Sequence, residues 1–306
     1  RDAVPAGGDE AANERLTMAL VSLGRELEQQ ITQLRESGRI DKIASISAGF
    51  ENFLKRILAR EQGNDFNSLN WVAGTFASLA TGLDSGAGES SAEAKPYFQQ
   101  AAEAYRLLVK KCDDGSFPAT PQQRMAISVR LASVLRRLGQ YEEAVDLLVN
   151  VLKKNNQLLD AQQEAAMALQ AWGEKDEKYF DAAIRGHRQA KNKQGQIVPI
   201  VWGWAHLSRR VAGSEKYAEV YFDARYNLAR CRLKQAMKLK QQGQSKAADE
   251  SLARAAAEIG IQYRQTPSLG GAEWSGKFDS LLRTIQQAAG QPATGLPSEK
   301  PMAKNK

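Results

Sequence analysis

Two histidines, two cysteines and a few adjacent carboxylates are the residues in this 306-residue chain whose types could do chemistry. His187 and His206 would act as general bases or metal ligands only with a carboxylate, thiol or second imidazole at ligand spacing. Neither sits in an HExxH arrangement or beside such a partner. Cys112 and Cys231 lack metal-site spacing and are too few for a disulfide framework, so they read as two buried free thiols, which favours a reducing compartment. Asp113 with Asp114, and Asp176 with Glu177, fall at the ends of helical patterns, where capping and solvation account for carboxylates. The glycine cluster SGAGESS lacks the third glycine of a dinucleotide loop and follows a helical pattern, while Walker A and GxSxG sequences are missing. These residues assign no catalytic, cofactor-binding or metal-ligating role, and a non-catalytic protein is expected.

Charge is the remaining signal. The chain carries 42 Lys plus Arg against 35 Asp plus Glu, and between Arg225 and Lys246 there are seven basic residues and no acidic one. On a helix Arg230, Lys234 and Lys238 share one stripe, away from the apolar face of Tyr226, Ala229, Leu233, Ala236 and Met237. A second group, Arg185, Arg188, Lys191 and Lys193, surrounds His187. Together they form a candidate basic surface for an acidic peptide, a phosphate or an anionic headgroup, set against a solvated face whose counter-charges come from other helices. Nucleic acid is disfavoured, because the aromatic residues keep core spacing instead of interleaving with the basic stripe.

The elements that would position such a surface are helices. Leu131, Val134, Leu135 and Leu138 form an apolar run that Gly139 can end in the left-handed conformation. Tyr141 opens a second amphipathic helix with Ala144, Val145, Leu147, Leu148, Val151 and Leu152 at helical spacing. Ala132 and Ala144, twelve residues apart, are small enough to meet where the two helices cross. The pattern recurs with Ala165, Ala166, Leu169 and Gly173, continuing through Ala183, His187 and Ala190 on a second helix. It recurs again with Leu228, Ala229, Ala248, Leu252 and Ala255. There the spacing exceeds twelve by seven residues, roughly two turns at about 3.6 residues each, so both helices lengthen in phase. A fainter copy runs from Trp71, Ala73 and Gly74 to Ala101, Tyr105 and Leu108. No strand pattern is evident.

The stretch RLGQYEEAVDLLVNVL, with these recurrences, resembles the tetratricopeptide repeat, whose period is about 34 residues. With the family's eighth position on Ala132, the seventh falls on Leu131, the twentieth on Ala144 and the twenty-fourth on Leu148. Ser128, Val151 and Asn156 depart from the fourth-position tryptophan, the twenty-seventh small residue and the thirty-second proline. The resemblance implies an all-α, right-handed α-α superhelical solenoid of antiparallel helix pairs, holding a protein segment in its groove. Some members clamp a peptide's terminal carboxylate with lysine, arginine and asparagine. Asn227 takes the sixth place, where those members carry asparagine, while Ala126, Val129 and Ser133 occupy the clamp places of the central unit.

The expected organisation is a disordered segment over 1–9, a solenoid over 10–289 and a disordered tail over 290–306. Within the solenoid a hairpin covers 14–62, its stripe being Leu16, Leu20, Leu23, Leu27 and Leu34, and a degenerate repeat covers 67–112. Repeats at 125–156, 159–191 and 215–266 follow, then a capping helix at 271–289 built on Trp274, Phe278, Leu281, Leu282 and Ile285. The apolar run IVPIVWGWAHL is about half of the roughly 20 residues a membrane helix needs and is expected in the core. The function expected is a scaffold or adaptor for a protein or peptide partner, acidic if the basic surface serves it. The alternative is an accessory module of a larger membrane-anchored or enzymatic envelope protein, since the chain opens at Arg1 instead of a methionine.

Overall fold

The computed structural model describes residues 64–84, 89–191 and 195–297, together with scattered positions between 15 and 59. The expected disordered segment at 1–9 and nearly half of the hairpin at 14–62 lie outside the described residues. The chain divides into two compact units, residues 1–151 and 152–306.

In the first unit α1 (Phe66–Leu83) packs on α2 (Lys95–Asp113), and α2 packs on α3 (Pro121–Arg137). Local chemistry sets where these helices begin. Asp65 accepts the Ser68 N–H at 2.7 Å while its own N–H reaches the Ser68 hydroxyl at 2.9 Å. Thr120 and Gln123 make the same reciprocal pair ahead of Pro121, satisfying N–H groups the helix cannot. Gly139, at φ 76°, ends α3. Its N–H bonds to the Arg136 carbonyl at 3.1 Å and that of Gln140 to Leu135 at 2.9 Å, a Schellman closure that turns the chain into α4 (Tyr141–Lys154). The turn at Gly243 repeats it, with Gln244 N–H on the Leu239 carbonyl at 2.9 Å and Gly243 N–H on Lys240 at 3.0 Å.

The second unit holds α5 (Leu159–Gly173), α6 (Lys178–Arg185), α7 (Gly203–Val211), α8 (Ala218–Gln241), α9 (Ser245–Gln265) and α10 (Ala272–Ala288). The pair α8 and α9 runs 24 and 21 residues against 17 for α3, so the extra spacing between Ala229 and Ala248 lengthens helices without breaking their pairing. The small residues expected at helix crossings are inside: Ala132, Ala144, Ala166, Ala183, Ala229, Ala248 and Ala255 are all 0% exposed, and Leu131, Tyr141 and Leu148 are also buried. Gly173 closes α5, where an added Cβ would lie 2.5 Å from the buried Phe180 ring, so its role is close packing against α6.

Three expectations are corrected here. The second helix of the 159–191 repeat stops at Arg185, and an antiparallel hairpin follows, β1 (His187–Lys191) against β2 (Ile197–Val201), with His187 opposite Val201 and Lys191 opposite Ile197. Gly186 breaks the helix at φ 113°, and an added Cβ there would lie 2.5 Å from the Val201 carbonyl oxygen. Gly203 approaches equally closely, its Cβ position being 2.6 Å from the Gly186 nitrogen. These two glycines let the hairpin base cross the end of α6. His187 and Ala190 are therefore strand residues, and Ala190 is exposed instead of buried at a helix crossing. Second, the apolar run is core only from Ile200 onward: Val201, Trp202 and Trp204 are buried, but Ile197 is 66% exposed.

The third concerns the tail. Residues 290–297 are ordered against α10 by polar anchors that carry no periodicity. Leu296 N–H bonds to Asp279 at 2.7 Å, Gly295 N–H to the Gln286 side chain at 2.8 Å, and Arg283 to the Ala293 carbonyl at 2.9 Å. Leu296 also packs on the core of α8, α9 and α10. Residues 298–306 lie outside the described residues.

Candidate functional site

Between α1 and α3, with α2 as its floor, the first unit holds a cleft of about 450 Å3. Ala77, Thr81 and Asp84 line it from α1 and its end, Phe98 and Tyr105 from α2, and Arg130, Ser133, Val134, Arg136 and Arg137 from α3. Helical period explains the last group. Arg130, Ser133 and Arg137 stand at i, i+3 and i+7, one face of α3, while Leu131 and Leu135 turn into the core.

The three guanidiniums differ in their surroundings. Arg137 pairs with Asp84, whose side chain is only 2% exposed, and its guanidinium lies over the Phe98 ring at 5.7 Å. Arg136 is buried at 9% exposure. Arg130 is exposed and donates to the Asn70 side-chain oxygen at 2.9 Å. Arg130 also stands beside the Tyr105 hydroxyl in the cleft, and burial of that phenol pushes its pKa up against the pull of the arginine. Asn70 and Tyr105 are both neutral, so among the described residues the charge of Arg130 is held in position without a carboxylate to offset it.

The basic stripe of α8 has different surroundings. Arg230, Lys234 and Lys238 are half-buried, and Lys234 meets Glu174 from the end of α5 at 3.2 Å. Beside them Arg225 and Arg232 share Glu258 of α9, at 2.9 and 3.5 Å. Arg185 pairs with Asp181 at 2.8 Å at the end of α6, and Arg188 and Lys191 stand on β1. The structure thus spreads the second basic group over a helix end and a strand instead of one helical face. Lys193 lies outside the described residues.

Asn227 is placed in a polar network inside the second unit and is 8% exposed. Its amide donates to the Asp223 carbonyl and carboxylate at 3.0 and 2.9 Å, and its oxygen accepts from Gln170 at 3.1 Å. Both N–H directions of that amide are committed to Asp223, so the clamp place it fills by sequence has no donor left for a ligand carboxylate. Gln170 in turn accepts from Trp204 Nε1 at 2.8 Å and from Cys231 at 3.2 Å. Burial raises the pKa of Asp223, opposed by hydrogen bonds from Gln163 and Asn227. Burial likewise pushes the Cys231 thiol well up, which suppresses the reactive thiolate. Cys112 and Cys231 are both buried free thiols. His206 stacks near Trp202 at 5.3 Å and is pushed down by burial and by Arg209 and Arg210. His187 lies edge-on to Tyr179 at 6.4 Å.

No group of three or more His, Cys, Asp or Glu among the described residues is placed to hold a metal ion. No described helix is long and apolar enough to cross a membrane. Sequence reasoning missed the cleft, although the i, i+3, i+7 spacing of Arg130, Ser133 and Arg137 carried part of the signal.

Paired helices, small residues buried along them and a polar cleft between first helices define a helical repeat protein of tetratricopeptide-like build. No family model and no curated protein matches the chain. Among solved structures it is similar to a kinesin-light-chain-like protein with nearly identical TPR-like repeats from Podosopora anserina, at 17% identity, 81% coverage of this chain, 98% of that one and a TM-score of 0.43. It is also similar to BtubC (BKLC) from P. vanneervenii, at 15% identity, 85% and 93% coverage and a TM-score of 0.40. Overlaps this loose leave the fold resting on the chain's own helices.

Proposed function

We propose that the protein is a non-catalytic scaffold that holds an acidic segment of a partner protein against the arginine-lined cleft of its first unit. The observation that carries this reading is Arg130, a charged and exposed group whose partners among the described residues are the neutral Asn70 and Tyr105. A carboxylate arriving there gains a charge-assisted bond without displacing an internal ion pair. The α8 stripe offers less, since Lys234 already meets Glu174.

Two charge reversals separate the surfaces. The probe is a degenerate peptide pool with three central acidic residues, measured by fluorescence anisotropy beside a pool carrying the matching amides. Arg130→Glu is expected to weaken the acidic pool by at least about tenfold. Reversal of Arg230, Lys234 and Lys238 together should change it by less than about twofold, as expected for a half-buried stripe whose Lys234 already meets Glu174. Loss on the α8 variant with retention on Arg130→Glu would move the site to α8 and end the cleft reading.

A further inference from the structure

The cleft carries a surplus of hydrogen-bond donors, and from this we infer that the anion it accepts is a phosphoryl group, presented by a phosphorylated serine or threonine of the docking segment. The inference rests on the reading that a segment docks in the cleft, and it names the chemistry of the contact.

Counting donors and acceptors leads there. The single carboxylate that lines the cleft, Asp84, is committed to Arg137 and is almost wholly buried. The Thr81 hydroxyl donates to the Ala77 carbonyl at 2.8 Å, so its hydrogen is used. Arg130 places one N–H on Asn70 at 2.9 Å. It also stands beside Tyr105, whose phenol lines the same cleft and feels the pull of its charge. Ser133, one turn along α3 from Arg130, lines the same cleft. The remaining N–H groups of Arg130 and the Tyr105 and Ser133 hydroxyls thus line a cleft whose one carboxylate among the described residues already meets Arg137.

A complementary ligand must be rich in acceptors and strongly negative. A carboxylate brings two oxygens and one charge. A phosphoryl group brings three terminal oxygens and a charge of about −1.5 to −2, and it suits the fixed fork of a guanidinium. Phe98 and Val134 supply the apolar wall against which the carbons of the modified side chain would lie. The volume of about 450 Å3 accommodates that side chain with its neighbours, within the range of ordinary ligand sites. Arginine clusters are a general device for reading phosphorylated segments.

The test uses the whole chain and three degenerate peptide pools that share one composition and carry phosphoserine, serine or glutamate at the centre. The phosphoserine pool is expected to bind at least about tenfold tighter than the serine pool and several-fold tighter than the glutamate pool. Arg130→Gln should abolish the ratio between phosphoserine and serine pools. Arg130→Lys should keep part of it, because charge survives and the fork does not. Tyr105→Phe, with circular dichroism unchanged, should lower it by about threefold. Inorganic phosphate should compete only in large molar excess over the peptide, since it lacks the segment.

Equal binding of the glutamate and phosphoserine pools would overturn the phosphoryl assignment and leave the scaffold reading intact. A phosphoserine preference that survives Arg130→Gln would overturn it as well. Competition by inorganic phosphate at concentrations comparable to the peptide would mean a site for the free ion and would equally refute it. Failure of the scaffold reading looks different, because then the acidic pool of the preceding section also binds Arg130→Glu undiminished.

Discussion

Gln162 is 1% exposed and clasps the hairpin base to α5. Its amide nitrogen donates to the Ile200 and Asn156 carbonyls, both at 3.0 Å, and its oxygen accepts the Trp202 N–H at 2.8 Å. Gln162→Leu keeps the volume and removes all three bonds. Asn156 is exposed, so water can replace the glutamine there. Ile200 and Trp202 are buried and would keep an unmet carbonyl and an unmet N–H, each costing about 1–3 kcal/mol. Added apolar burial by leucine returns about 1 kcal/mol, so the net loss is about 1–5 kcal/mol, centred on about 3. Four of the five tryptophans, Trp172, Trp202, Trp204 and Trp274, lie in the second unit, which makes fluorescence-monitored urea unfolding a reading of that unit. With a slope of about 1–3 kcal/mol per molar, the midpoint should fall by about 1–2 M. A midpoint moved by less than about 0.3 M in the leucine variant would mean the clasp contributes nothing and the hairpin is held by other contacts.

Other consequences are as definite. Gly173→Ala would ordinarily stabilise a helix by about 1 kcal/mol, but the added carbon falls 2.5 Å from the buried Phe180 ring, so calorimetry should show a lower melting temperature. A raised one would mean α6 yields freely. Ala144→Trp should destabilise the first unit by about 1–3 kcal/mol through overpacking, because Ala144 is 0% exposed, and unchanged melting would refute that placement. Asp279 is held below the usual carboxylate range by Arg283 first and then by the Leu296 N–H. A depressed carboxylate contributes stability above its unfolded value, near about 3.9, and loses it as pH falls through the folded one. The amide resonance of Leu296 should therefore shift on acidification into and below that range, and in Asp279→Asn the transition should vanish. A transition that persists would assign the tail's order to other anchors.

The helices were legible because their information is local. Gly139 after an apolar run, alanines at recurring places and the seven added residues before Ala248 each fix a turn, a crossing or a length without reference to distant sequence. The hairpin was not legible for the opposite reason. HRQAK has no alternation and no β-branched residue, and it is a strand because Gly186, Gly203 and Gln162 shape the ground on which it lies. The basic stripe of α8 could be read as a stripe, but the carboxylate that meets Lys234 is Glu174, 60 residues earlier, and Arg225 and Arg232 beside the stripe share Glu258 of the next helix. Asn227 matched a family position and was buried by a network drawn from α5 and α8, which periodicity cannot reveal. The cleft assembles residues of three helices, from Ala77 to Arg137, and only the α3 part lies close enough in sequence to show itself.

The central claim is that a partner segment lies in the cleft of the first unit, and site-specific photocrosslinking tests it most directly. A benzophenone amino acid placed at Ser133 in the cleft is compared with one at Glu142, exposed on α4. Peptide mapping after irradiation in native lysate should find adducts from Ser133 concentrated on one short acidic stretch of a partner, strongly reduced by Arg130→Glu in the same chain. Adducts of equal yield from Glu142, or adducts from Ser133 that Arg130→Glu leaves unchanged, would contradict the account.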